Sequence, residues 1–156
     1  FKTLCGYWHV PITDKRFTPM WAYANRYRLP VLSHTWEDPF DSPAMFRSLV
    51  KRYPHVSFLL GHAGGADKGR REAEELAQEY PNVHLEWCGS FCSTIPWEET
   101  LRRVSPRQVV FGTDAMVHDF NWELGRLLSL DVPDQTLLPI LGGNMRRILA
   151  MRRMRA

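Results

Sequence analysis

Three apolar runs in this chain each close on a side chain able to ligate a metal ion. They are Pro30-Val31-Leu32-Ser33-His34, Val56-Ser57-Phe58-Leu59-Leu60-Gly61-His62 and Val109-Val110-Phe111-Gly112-Thr113-Asp114. The step from His34 to His62 is 28 residues (62 − 34), and the step from His62 to Asp114 is 52 (114 − 62), close to two such steps. A strand, a crossover helix and the return to the next parallel strand take about 30 residues. The spacing therefore places all three side chains at the carboxyl ends of parallel strands in one sheet, the edge at which open α/β sheets and barrels assemble their sites.

The rest of the chain fits this alternation. The sequence predicts strands at Leu4 to Val10, Leu29 to Thr35, Val56 to Gly61, Val83 to Cys88 and Gln108 to Gly112. Val31-Leu32 lacks the alternation of a one-sided sheet, as expected of a strand covered on both faces. Helices are predicted from Pro19 to about Arg28, and from a cap at Asp41 or Ser42 to before Pro54. Others run over Lys68 to Tyr80, Trp97 to Val104, about Asn121 to Leu130 and Asp134 to Leu141, where Gly142-Gly143 stops the helix. Asn144 is then the cap of a last helix, Met145 to about Met151. No composition shift marks a second domain, so residues 1–156 read as a single α/β domain. At 156 residues the chain is short for a closed eight-stranded barrel, which takes about 250.

Composition narrows the function classes. The net charge is only +3, and the basic excess gathers at the end, in Arg146, Arg147, Arg152, Arg153 and Arg155. With no basic stripe interleaved with aromatics elsewhere, nucleic acid is not expected as a partner. No apolar run approaches the roughly 18 residues of a membrane helix, so no membrane partner is expected either. Cys5, Cys88 and Cys92 form an odd set without close pairs, which argues against a disulfide scaffold and for a reducing, cytoplasmic setting. Cys88 and Cys92 read as core or loop-lining thiols rather than zinc ligands, since zinc sites usually show two close pairs.

The chemistry lies in the three strand ends taken together. His34 alone reads as a hydrogen-bonded residue, and Asp114 alone as a loop cap. Converging on one pocket, two imidazoles and a carboxylate suit a divalent metal, which lowers the pKa of bound water to about 7. The adjacent carboxylate can take that proton, and a neighbouring His can orient the attacked group. The loop Gly61-His62-Ala63-Gly64-Gly65 lacks the ending of a P-loop, so its glycines read as allowing a sharp turn beside His62. The same logic makes His9, Trp36 and Trp87, with Cys88 beside Trp87, candidates for the pocket wall; each reads either as a substrate-binding residue or as simple packing. His55, His84 and His118 have no comparable position.

These residues carry a family resemblance. Asp14-Lys15-Arg16-Phe17-Thr18-Pro19-Met20-Trp21, the run ending at His34-Thr35, Gly61-His62-Ala63-Gly64-Gly65, Phe111-Gly112-Thr113-Asp114 and Leu141-Gly142-Gly143-Asn144-Met145-Arg146-Arg147-Ile148-Leu149 appear in that order. Together they resemble the carboxyl-terminal part of the amidohydrolase superfamily, in the branch related to aminocarboxymuconate-semialdehyde decarboxylase. The resemblance implies a partial (β/α)8 TIM barrel, strands four to eight with flanking helices, around one divalent metal, with zinc foremost. It implies that His34 is a metal ligand, that Asp114 is both ligand and catalytic proton acceptor, and that His62 is a catalytic pocket His. The expected function is a metal-dependent hydrolase acting on a small carboxylated or cyclic substrate. A metal-dependent decarboxylase of an aromatic or related acid is the alternative, and a non-catalytic assembly module that has lost the metal is a third reading.

The family takes two further ligands from a His-x-His pair, and this sequence has none. The chain also opens mid-pattern at Phe1. A complementary amino-terminal half-barrel segment is therefore expected, on the same polypeptide or on another chain in an oligomer. A copy of this chain would bring ten strands rather than eight. The 156 residues alone are not expected to catalyse.

Overall fold

The structure is a computed structural model; it describes residues 1–89, 93–115 and 117–152. Cys92, Arg153 and Arg155 lie outside the described residues. Five strands form one sheet, β1 (Lys2–Thr3), β2 (Pro30–His34), β3 (Ser57–Gly61), β4 (Val83–Trp87) and β5 (Val109–Phe111), in the spatial order β1-β2-β3-β4-β5. Every pairing is parallel. Each crossover advances to the next neighbour and none turns back, which is the winding of a barrel rather than of a doubly wound sheet. The arrangement is a partial (β/α)8 barrel.

Register sorts the strand residues into two faces, because directly opposed residues point to the same side and successive ones alternate. Lys2, Leu32, Leu59 and His84 form one row, and Gly61, Glu86 and Val110 another on the same face, with His34 opposite Gly61. Val31, Phe58, Leu60, Val83, Leu85, Trp87 and Val109 occupy the other face. There they join the main core with residues of α2 (Thr18–Tyr27), α3 (Phe46–Arg52), α4 (Asp67–Glu79) and α5 (Ile95–Leu101), among them Trp21, Phe46, Leu76 and Trp97. The helices α6 (Phe120–Leu128) and α7 (Asp134–Leu138) add Leu127 and Leu137 to this core. Burying side chains of this size stabilises by about 1.5–3 kcal/mol each. The first face has a small core of its own, Leu59 and Val110 under Ile148 of α8 (Asn144–Ala150), edged by Leu32 and Met145.

Four local expectations are corrected. The first strand is two residues long, and Cys5–Trp8 is a helical turn, α1, closed by His9 in the left-handed region at φ 51°. The apolar run there is not uniformly buried, since Cys5 is inside while Tyr7 is 73% exposed. Gly142-Gly143 does not stop a helix: Pro139–Gly143 form a π-helical passage that carries α7 into α8. Asn144 accordingly caps nothing; its side-chain amide donates to the carbonyls of Pro106 (2.7 Å) and Val109 (2.7 Å), tying α8 to the start of β5. Asp41 does not cap the helix after it either. The flanking residue is Ser42, which makes no side-chain cap bond, and the Asp41 carboxylate points to the site described next.

Candidate metal centre

β2 delivers His34 to the rim, and Asp41 holds it there. His34 Nδ1 lies 2.9 Å from Asp41 Oδ2, and because a carboxylate only accepts, Nδ1–H is the donor. The same oxygen accepts the Gly6 backbone N–H at 2.9 Å, which ties α1 into the site. Asp41 is fully buried, and its Oδ1 has no partner among the described residues. A buried carboxylate bound to one imidazole nitrogen fixes the tautomer and leaves Nε2 with its lone pair free, the support that metal-bound histidines use.

β3 delivers His62 through a strained turn. His62, Ala63, Gly64 and Gly65 all have positive φ, at 61°, 48°, 96° and 82°. Two of them carry a β-carbon, at a cost of roughly 1–2 kcal/mol each. The glycines are required here: a β-carbon on Gly64 would overlap the Gly69 backbone, and one on Gly65 would sit 2.7 Å from the Trp36 ring. Thr35 locks the turn, its hydroxyl donating to the Gly61 carbonyl at 2.6 Å and accepting the Gly64 N–H at 3.0 Å. The His62 ring then stands edge-on to His34, with ring centroids 5.1 Å apart.

β4 contributes Glu86 and Cys88, and the loop after β5 contributes Asp114. The Cys88 thiol donates to Glu86 Oε2 at 3.1 Å and its sulfur lies 3.3 Å from His62 Nδ1. Glu86 Oε2 also receives the His62 backbone N–H at 3.4 Å. Gly112 makes room for this carboxyl, since a β-carbon there would overlap Glu86 Oε1. Asp114 adopts φ 49°, and its carbonyl accepts the N–H groups of Val117 and His118 at 3.0 and 3.1 Å. Ligand atoms of His62, Cys88 and Asp114 all lie within 4.8 Å of one another. Burial, and next the nearby His34, hold the His62 ring below its ordinary pKa, with Asp114 opposing. Burial, and next Glu86, push the Cys88 thiol far up, and burial raises Glu86.

A cleft of about 820 Å³ opens over these groups, with His9, Trp36, Tyr7, Lys2, Val117 and His118 in its wall. His34, His62 and Asp114 are thus brought together, and His9 and Trp36 line the same cleft. Trp87 does not. It lies on the opposite face of β4, almost wholly buried and stacked on Trp97 with ring centroids 4.8 Å apart, so its expected place at the substrate is corrected to the core. His118 is a correction in the other direction, since the turn at Asp114 folds it back over Gly89 and into the cleft wall. Sequence reasoning also missed Asp41 and Glu86. The alternation Val83-His84-Leu85-Glu86-Trp87 was a usable signal for Glu86: it sets the polar residues on one face and Trp87 on the other.

A model of the family described as amidohydrolase matches residues 1–151. The chain belongs to the amidohydrolase family. No curated protein matches the sequence. An uncharacterised TIM-barrel protein from Bordetella bronchiseptica superposes with a TM-score of 0.76 at 17% identity, over 91% of this chain and 53% of that one. A 2,6-dihydroxybenzoate decarboxylase from Rhizobium gives 0.67 at 15% identity, over 88% and 56%. A dihydroxybenzoic acid decarboxylase from Polaromonas, solved with manganese and 2-nitroresorcinol, gives 0.68 at 14% identity, over 92% and 56%. The amidohydrolase chain described here therefore spans just over half the length of these structures, and at such identities the likeness is one of fold.

The donor set fits the divalent metal that such a fold implies. His34, positioned by a buried carboxylate, faces His62, and Asp114 stands within reach of His62.

Proposed function

We propose that this chain supplies the carboxyl-terminal part of a metal-dependent enzyme site acting on a small carboxylated or cyclic substrate, with hydrolysis as the leading reaction. The observation that carries the reading is His34 held through Nδ1 by buried Asp41 and facing His62 across 5.1 Å. His34 and Asp114 would hold one divalent ion, zinc foremost. Such an ion supplies a Lewis acid and lowers the pKa of bound water to about 7. Asp41 keeps His34 in the tautomer that offers Nε2. The Asp114 carboxylate accepts a proton at the reacting centre. His62, kept neutral by burial, exchanges a proton at its ring nitrogen with the reacting group. His9 and Trp36 bound the substrate, and water is displaced along that wall as it enters.

Decarboxylation of an aromatic acid is the second reading. It is favoured by Tyr7 standing edge-on to His34 at 5.3 Å and by the neighbouring Trp36, which shape the cleft for a planar ring. Further metal ligands and closing strands would come from a complementary segment, on this polypeptide or another chain. Among the described residues no helix is long and apolar enough to cross a membrane. Free buried Cys5 and Cys88 support a reducing, cytoplasmic setting. Metal analysis of the native protein tests the reading: about one divalent ion per chain supports it, and none points to the non-catalytic module. Released carbon dioxide without incorporated water oxygen would select decarboxylation over hydrolysis.

A further inference from the structure

Cys88 has no part in the chemistry above, yet it sits inside it. The thiol is buried between His62 and Glu86, and its sulfur, a ligand nitrogen of His62 and a carboxylate oxygen of Asp114 form one group within 4.8 Å. In a tetrahedral site with zinc–sulfur bonds of about 2.3 Å and zinc–nitrogen or zinc–oxygen bonds of about 2.0–2.2 Å, donor atoms stand roughly 3.4–3.6 Å apart. The Cys88 Sγ to His62 Nδ1 distance is 3.3 Å, already near that edge. The three donors come from the ends of three different strands, β3, β4 and β5. His34 is not a member of this group.

We infer that His62, Cys88 and Asp114 form a thiolate-containing site for a soft divalent cation of the zinc class, distinct from the His34–Asp114 pair in its sulfur donor and sharing only Asp114 with it. The sulfur makes the choice of ion: thiolate favours zinc-like cations over the harder manganese or magnesium, which prefer oxygen and keep their water. On binding, the metal–sulfur bond forms as the S–H bond breaks, and the proton leaves to solvent. The thiol hydrogen now given to Glu86 is the one displaced. Glu86 still receives the His62 backbone N–H and so continues to hold the turn. Because His62 and Asp114 are shared, a soft ion here occupies the two residues proposed for proton transfer. A second zinc-class ion in excess should then oppose the reaction supported by the first ion at His34 and Asp114; that consequence alone rests on the function proposed above.

Cobalt(II) titration of the full chain tests the assignment, because cobalt bound by thiolate shows a sulfur-to-metal charge-transfer band in the near ultraviolet and cobalt bound by nitrogen and oxygen alone does not. The expected result is that band in the native sequence, its loss in Cys88→Ser with affinity lower by about 100-fold or more, and its retention in His34→Ala and Cys5→Ser. Cobalt retained in dialysis without the band overturns the inference while leaving a nitrogen–oxygen metal site in place. A band that survives Cys88→Ser overturns it as well, by assigning the thiolate elsewhere. Failure of the native chain to bind cobalt overturns it without any variant, and the metal content of the native protein then judges the proposed function separately.

Discussion

Gly112→Ala is the substitution that the packing under the site makes most informative. Gly112 follows β5, and its N–H is pinned to the Trp87 carbonyl at 2.8 Å, so the backbone cannot slide away. An added β-carbon would meet Oε1 of Glu86, a residue 9% exposed whose other carboxylate oxygen, Oε2, is held by the Cys88 thiol and the His62 backbone N–H. Overpacking of this kind costs about 1–3 kcal/mol. Displacing the carboxyl weakens one thiol and one long backbone hydrogen bond, together about 1 kcal/mol. Alanine lowers the entropy of the unfolded chain, which offsets about 0.4–1 kcal/mol. The net loss is about 2 kcal/mol, or a urea midpoint lower by about 1 M for an m-value near 2 kcal/mol/M. In a Glu86→Ala background the obstacle is gone, and the same substitution should be neutral within about 0.5 kcal/mol, a coupling of about 2 kcal/mol. Equal costs in both backgrounds would refute the argument that Gly112 exists to admit Glu86.

Three further outcomes are expected. His84 is buried with both ring nitrogens unpartnered among the described residues, and burial, then Arg147, depress its pKa to about 4. The unfolded chain binds that proton at the ordinary value of about 6.5, so stability is lost as pH falls from about 6.5 to 4; His84→Leu should remove about 3 kcal/mol of that loss in denaturation at pH 7 against pH 4. Asp41→Asn should weaken divalent metal binding about 10–100-fold by isothermal titration while the fold persists, since the residue acts through His34. Trp87→Ala should cost about 3–5 kcal/mol in thermal or urea unfolding, and the cobalt or zinc affinity of the folded protein should stay within about threefold of the parent, as its ring stacks on Trp97 and not in the cleft.

Much of the site was legible because two periodicities coincide. Apolar runs of strand length ending at His34, His62 and Asp114, spaced by the length of a βα unit, specify a rim before any coordinates are known. The residues that escaped did so for physical reasons. Asp41 lies two residues before Pro43 and resembles a helix cap, and only the fold of α1 against β2 shows its carboxylate turned to His34 and Gly6. His118 lies in no regular element, and its place depends on the left-handed backbone at Asp114. Trp87 lies near the end of its strand, but alternation along β4 sets the side it occupies and turns it into the core. The first strand is short because the apolar stretch Leu4 to Val10 suits a strand only by composition, while exposed Tyr7 and the Gly6–Asp41 bond favour a turn.

The central claim is that a cation gathers residues from separate strand ends around one cleft. Crystals of the native protein grown with zinc or manganese, measured at the metal's absorption edge, address it directly. The account predicts one anomalous peak within ligand distance of the Asp114 carboxylate and of an imidazole nitrogen of His34 or His62. A cleft free of anomalous signal with the metal saturating, or a peak only at a surface site remote from Asp114, would contradict it.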